Sequence, residues 1–213
     1  MRDQYYEELD HIVDELVQLT GTVRRAVSNA TKALLEADGS VAESVIDGDK
    51  AIDQGCDALE ERALLILATQ QPVATDLRQL VATLRMLADL QRMGALSVHV
   101  AKIARRRMPD VAVPETLHAT IVSMSKVADS MIDSASRIVA NRDVQAAMLL
   151  EEEDDEMDRL RKDLFRSLLA DEWEHGVESA VDIALLGRYY ERIGDHAVSM
   201  ARRVVYLVTG QLT

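Results

Sequence analysis

The sequence predicts an all-α fold, six helices forming two tandem, duplicated three-helix bundles. Three observations carry that reading. The 213 residues include only 3 Pro and 9 Gly, aromatics are 3% against 48% apolar overall, and Ala, Leu, Val, Asp, Glu and Arg are abundant. Apolar residues recur at steps of three and four along most of the chain, the period of one helix face. The second half also repeats the first at a nearly constant offset, which speaks for a duplicated architecture more strongly than any single helix does.

The first helix is marked by Leu9, Ile12, Leu16, Leu19, Val23, Val27, Ala30 and Leu34, and Asp38-Gly39-Ser40 stops it. A second begins near Ser40 and runs through Val45, Ile52, Leu59, Ala63 and Ile66 to about Thr69, where Gln70-Gln71-Pro72 breaks it. The third runs from about Thr75, a candidate cap, to Arg107. Met108 to Pro114 is the only two-proline segment and sets the expected boundary between residues 1–109 and 110–213. A fourth helix follows to Asn141, and a fifth runs from about Asp143 to near Asp171. After the turn Glu172-Trp173-Glu174-His175-Gly176, the sixth carries the seam Ile183, Leu186, Tyr190, Ile193, Ala197, Met200, Val204 and Leu207. Adding 105 takes Leu16 to Ile121, Val27 to Ile132, Asp38 to Asp143, Asp49 to Asp154 and Asp53 to Asp158. After the next loop the offset becomes 100, and Arg92-Met93-Gly94 falls on Arg192-Ile193-Gly194.

Several function classes are disfavoured at once. A net charge of −13 argues against non-specific binding to nucleic acid or to an anionic membrane. Cys56 is the only cysteine, so an intrachain disulfide and a cysteine-rich zinc or iron–sulfur site are ruled out, and the residue reads as a small hydrophobe. No apolar run approaches the ~20 residues of a membrane span. The acidic start, Met1 to Glu8, lacks the apolar core of a signal peptide. The expectation is a soluble, cytoplasmic protein without membrane insertion or nucleic-acid binding.

Chemistry is concentrated in Tyr189-Tyr190-Glu191-Arg192-Ile193-Gly194-Asp195-His196-Ala197-Val198. Glu191 and Asp195 are spaced i, i+4, so they project side by side on the flank of the apolar seam, where two like charges are costly unless a cation answers them. Gly194 within a helix costs roughly 1 kcal/mol against alanine, and Gly94 repeats that cost, as close approach of a helix or a ligand would require. The fifth helix supplies the acidic run Glu151 to Glu156 and then Asp158; Asp154 and Asp158 are again i, i+4, as are Asp49 and Asp53 in the second helix. Carboxylates from two neighbouring helices suit calcium, magnesium, manganese or an iron cluster. On spacing alone the plainer alternative is favoured: solvated helix faces, with Glu191 paired to Arg188 or Arg192.

Glu-x-x-His occurs as Glu8–His11, Glu115–His118 and Glu172–His175, but at helix ends or in a turn, which speaks against a buried di-iron oxidase centre. His99 reads as a packed or partly exposed residue. Arg105-Arg106-Arg107 and Arg202-Arg203 suit helix C-termini through the helix dipole, although a docking surface would use them too. No phosphate loop, Ser–His–Asp set or Rossmann turn is present, and no positive sign of an enzyme.

With the motif and the duplication together, the chain resembles the PhoU family of phosphate-responsive regulators. The matching stretches are Glu191 to Val198 and Pro72-Val73-Ala74-Thr75-Asp76-Leu77-Arg78, with Asp89-Leu90-Gln91-Arg92-Met93-Gly94 as an eroded copy of the first. The resemblance covers nearly the whole chain. It implies a cytoplasmic negative regulator, active when phosphate is plentiful, that links the ATPase subunit of a phosphate ABC transporter to a sensor histidine kinase. It also implies a homodimer, and metal bound through E/D-x-x-x-D motifs as an iron or zinc cluster. That motif carries over to Glu191 and Asp195, with Asp154 and Asp158 as partners. The first copy departs from it, with Gln91 and Ala95 where acids belong, leaving Asp49, Asp53 and Asp89; in the second, Tyr189 replaces the leading aspartate. The expectation is at most one good metal site, in the C-terminal half, its ion iron, zinc, magnesium or manganese. The competing readings are a metal-dependent enzyme or oxidase built on the acidic bundle, and a metal-storage or scaffold bundle.

Overall fold

The computed structural model of the chain describes residues 2–211, apart from the side chains of Arg2, Asp3 and Glu153. It contains six helices and, among the described residues, no strand: α1 (Arg2–Glu36), α2 (Gly39–Gln70), α3 (Ala74–Arg107), α4 (Glu115–Asn141), α5 (Val144–Leu168) and α6 (Gly176–Thr209).

The ends follow from local chemistry. Asp38 caps α2, its Oδ1 accepting from the backbone N–H groups of Ser40 and Val41, and Asp143 caps α5 through the N–H of Ala146. These caps are 105 residues apart, so the duplication extends to the turns. Gly210 closes α6 in the left-handed region, its N–H on the Tyr206 carbonyl. Thr75 is not a cap. Helix α3 starts at Ala74 after Val73, so the Thr75 hydroxyl lies within the first turn, where it accepts from Arg78 Nη2. The fifth helix stops at Leu168, three residues short of the expected Asp171.

The seams bury as the periodicity requires, with one change in α1. Leu19 is only partly buried, and Thr20 takes the core position with its hydroxyl donated to the Leu16 carbonyl at 2.8 Å. Helix α2 buries Ala42, Val45, Ile52, Cys56, Leu59, Ala63 and Ile66. Those steps of three and four leave one gap, at Asp49. Helix α5 buries Ala147, Leu150, Met157 and Leu164, and the same stepping passes through Asp154 and Arg161.

Each repeat is a three-helix bundle, and the two meet through α1 on α4 and α3 on α6. Among the described residues, α2 packs only on α1 and α3, and α5 only on α4 and α6. The centre is thus a four-helix unit of α1, α3, α4 and α6, with α2 and α5 outside it on opposite repeats. One continuous hydrophobic core runs through both halves, from Leu9 to Leu207. Polar ties reinforce the junction. Arg24 on α1 grips Asp129 on α4 with two guanidinium nitrogens, at 2.8 and 2.7 Å, and also pairs with Asp133. Thr31 joins Tyr190 at 2.7 Å and accepts from Ser125 at 3.1 Å. Gln79 donates to the Leu9 carbonyl and accepts from Arg142.

Candidate functional site

Helices α3 and α6 bring the two copies of the motif together. His196 Nδ1 lies 2.9 Å from Asp89 Oδ1, and Ser199 donates to Asp89 Oδ2 at 3.0 Å. The His99 and Tyr189 rings stack at 5.2 Å. Arg78 Nε donates to the Leu207 carbonyl, and Arg107 Nε to Asp182 Oδ2 at 2.6 Å. Residue numbers rise along one helix as they fall along the other, so the pair is antiparallel, with Gly94 and Gly194 near its middle.

The glycines lie beside the seam acids. A Cβ on Gly94 would stand 3.1 Å from Asp49 Oδ1 and 3.4 Å from Ile52 Cγ2. One on Gly194 would stand 3.1 Å from Met131 Sδ and 3.4 Å from Asp154 Oδ1. The first repeat therefore presses Asp49 against the bare backbone at Gly94, whereas at Gly194 the tight neighbour is the end of Met131 and Asp154 stands at ordinary contact distance.

The electrostatics of the two places differ. Burial raises the Asp154 pKa above the ordinary carboxylate range, and the nearby charges of Asp195, Asp158, Glu191 and Asp155 raise it further. The four predicted C-terminal ligands thus act on one another. Burial and Asp53 raise Asp49 in the same way, but Lys102 and His99 pull against the rise. Asp49 Oδ1 is buried without a hydrogen-bond partner.

Glu191 is buried, more than a half-covered flank would be, and its Oε2 pairs with Arg188 and with Arg161 at 3.3 Å. Arg161 comes from the α5 seam and was invisible to spacing along α6; Arg192 makes no such contact. Gln91, at the matching place in the first copy, instead donates to Asp57 on α2 at 3.2 Å. Asp195 and Asp53 are exposed, and Asp158 is half-buried. Asp89 faces the other repeat rather than joining Asp49 and Asp53. Among the described residues, no three His, Cys, Asp or Glu side chains stand close enough together to hold a metal ion as they are placed. The Glu153 side chain, part of the acidic run, lies outside the described residues.

Asp182 is a residue that sequence reading missed. It is 1% exposed on α6 and accepts from both Arg106 and Arg107 at the end of α3, so these arginines do more than answer the helix dipole. Its signal was an acid beside the apolar Ile183 and Leu186, nearly two turns into the helix. Cys56 is buried, with its thiol pKa pushed up to about 12 chiefly by burial, which fits a small core residue. His99 is exposed. Of the Glu-x-x-His pairs, Glu8–His11 lies within α1, Glu115–His118 opens α4, and Glu172–His175 sits in the loop before α6.

Comparison with known proteins agrees with this double construction. The PhoU domain matches twice, over residues 16–104 and 121–204. The phosphate-specific transport system accessory protein PhoU homolog 2 of Mycobacterium tuberculosis is 46% identical over 210 residues, 99% of each chain. PhoU homolog 1 of the same organism is 42% identical, over 100% of this chain and 96% of its own. The crystal structure of PhoU from Pseudomonas aeruginosa superposes with a TM-score of 0.88 at 28% identity, covering 97% of this chain and all of that one.

Proposed function

The chain belongs to the PhoU family, and from that premise we propose that it is an accessory protein of a phosphate transport system that acts as a negative regulator. In this reading it works when phosphate is plentiful. It joins the ATPase subunit of a phosphate ABC transporter to a sensor histidine kinase, limits uptake and holds the phosphate-starvation response silent. It acts without catalytic turnover, as a homodimer in the cytoplasm, reaching the inner face of the membrane through its partners. The observation that carries the proposal is the end-to-end 46% identity with proteins named as transport accessories. In support, no described helix is long and apolar enough to cross a membrane.

Two measurements test it. A starvation-regulated reporter should be derepressed in high phosphate when the gene is deleted, and silent again on complementation. The tagged protein should co-purify with the kinase and the transporter ATPase. A reporter unchanged by deletion, together with recovery of neither partner in replete or starved cells, overturns the proposal.

A second reading, metal binding in the C-terminal repeat, is favoured by the concentration of like charge around Asp154. Asp154, Asp158, Asp195 and Glu191 would hold the ion. An all-oxygen set of this kind suits a hard or borderline cation, whose charge would relieve their mutual repulsion. Arg161 and Arg188 already supply that relief at Glu191, so the arginines would have to give way there. Metal analysis after exposure to iron, zinc, manganese or magnesium should find about one site's content per chain, lost in Asp154→Asn/Asp195→Asn. Retention of metal in that double variant sinks the assignment.

A further inference from the structure

The groove between α3 and α6 runs against the charge of the rest of the molecule. A cavity of about 450 Å³ opens there, lined by Arg92, Arg188 and Arg192 together with His99, His196 and Tyr189. No carboxylate lines it, although acidic residues outnumber Lys and Arg by 37 to 24 in the chain. Arg188 is engaged by Glu191 at its edge. Arg92 and Arg192 are exposed and make no hydrogen bond or ion pair with any described residue. His196 is held by Asp89 through Nδ1, and its Nε2 is buried with no partner.

Comparing the repeats shows which acids the groove lacks. At an offset of 100, Ala95 corresponds to Asp195 and Tyr189 to Asp89. Both Ala95 and Tyr189 line the groove. Two of the positions at which one copy lacks the other copy's acid thus lie in the groove, where an acid would stand against these arginines. A third such position in the motif, Gln91 against Glu191, lies outside the groove lining.

We propose that this groove binds a small anion carrying two or more phosphoryl groups in a chain. Guanidinium groups are planar forks that match phosphoryl oxygens two at a time, and Arg92 and Arg192 are free to turn toward a ligand. The volume falls in the range of small-molecule sites and far exceeds the needs of one tetrahedral anion, so orthophosphate would reach only part of the cationic lining. The site rests on the groove's own geometry and not on the transport role, which can fail without it.

Titration calorimetry on the full chain, in metal-free buffer of moderate ionic strength, separates the outcomes. The probes are orthophosphate, diphosphate, triphosphate and ATP. Diphosphate and triphosphate are expected to saturate at one per chain, at least tenfold tighter than orthophosphate. ATP equal to triphosphate makes the phosphoryl chain the whole ligand; ATP tenfold tighter makes it a nucleotide site. Ala95→Asp and Arg92→Glu should each weaken binding tenfold or more with the helical circular dichroism unchanged, whereas Arg159→Glu, on α5 outside the groove, should not. Arg192→Lys, which keeps the charge but loses the fork, should lose part of the affinity and guards against a folding artefact. Absence of saturable binding, orthophosphate binding as tightly as triphosphate, or affinity indifferent to Ala95→Asp and Arg92→Glu would each overturn the proposal.

Discussion

In both repeats an aspartate occupies a seam position of the outer helix beside a glycine of the motif helix, yet the two acids are stabilised differently. Asp154 is surrounded by further carboxylates, one of which, Glu191, is gripped by Arg161 and Arg188. Asp49 has one acidic neighbour, Asp53, and the opposing charges of Lys102 and His99, and its Oδ1 has no partner. Position 56 shows the divergence most simply. The seam place that holds Arg161 in the second repeat holds Cys56 in the first, where Gln91 in place of a glutamate needs no cation. Backbone packing has been kept through the duplication helix by helix, with Gly94 matched by Gly194. Charge has been free to drift wherever a neighbour could drift with it.

The comparison is broken most severely at Asp182, whose first-repeat counterpart is the fully buried Ala82. Asp182→Ala leaves Arg107 without its buried partner and should cost about 3 kcal/mol, a fall in Tm of roughly 6–12 °C by calorimetry. A variant within 1 °C of the parent would show that these arginines find water instead.

Next comes Tyr190, matched by Leu90. Tyr190→Phe keeps the ring and removes the bond to Thr31, so a loss of about 1 kcal/mol is expected in chemical denaturation, with no change in slope.

The glycines sharpen the contrast. Alanine gains about 1 kcal/mol of helix propensity at either site. At Gly194 the nearest group is the flexible end of Met131, which can move, and the result should be close to neutral. At Gly94 the methyl would meet Asp49 Oδ1 and the branched Ile52, and Gly94→Ala should be less stable than the parent by about 1 kcal/mol. Equal effects would mean the two approaches are mechanically alike.

The smallest effect concerns the acids themselves in chelator-treated protein. Because the Asp154 pKa is raised on folding, its contribution is fully present below the unfolded value, near pH 4, and is lost as pH rises through the folded value. Asp154→Asn should therefore raise Tm by about 1–2 °C at pH 7 and not at all near pH 3. Asp49→Asn should follow the same sign more weakly, since Lys102 and His99 already favour its ionised form. A larger gain at Asp49 would reverse the ranking of the two sites.

What could be read without coordinates was whatever is local or periodic. Asp143 marks a helix start because a cap acts within three residues, Asp38-Gly39-Ser40 marks the break between α1 and α2, and the α6 seam is visible because one face of a helix repeats. Thr75 misled for the same reason: a hydroxyl in the right neighbourhood looks like a cap until the preceding backbone places the start one residue earlier. Leu19 and Thr20 fit the α1 seam equally well by spacing, and Thr20 is the one buried because the carbonyl four residues back accepts its hydroxyl. The phase of the α2 and α5 seams alone places Asp49, Asp154 and Arg161 within them. Arg161 with Glu191, Arg106 and Arg107 with Asp182, and the cationic groove depend on which helices become neighbours, and no spacing within one helix contains that.

The placement of α2 and α5 outside the central four helices also has a consequence for how the chain reaches this structure. Each outer helix packs on chain neighbours, while the central contacts join residues far apart in sequence: Arg24 to Asp129 spans 105 positions and Asp89 to Ser199 spans 110. Closing so long a loop has an entropic cost that only long-range contacts can repay. The order of assembly implied is local hairpins first and the central union last. During synthesis the α3 face that receives α6 therefore stays uncovered until α6 has left the ribosome.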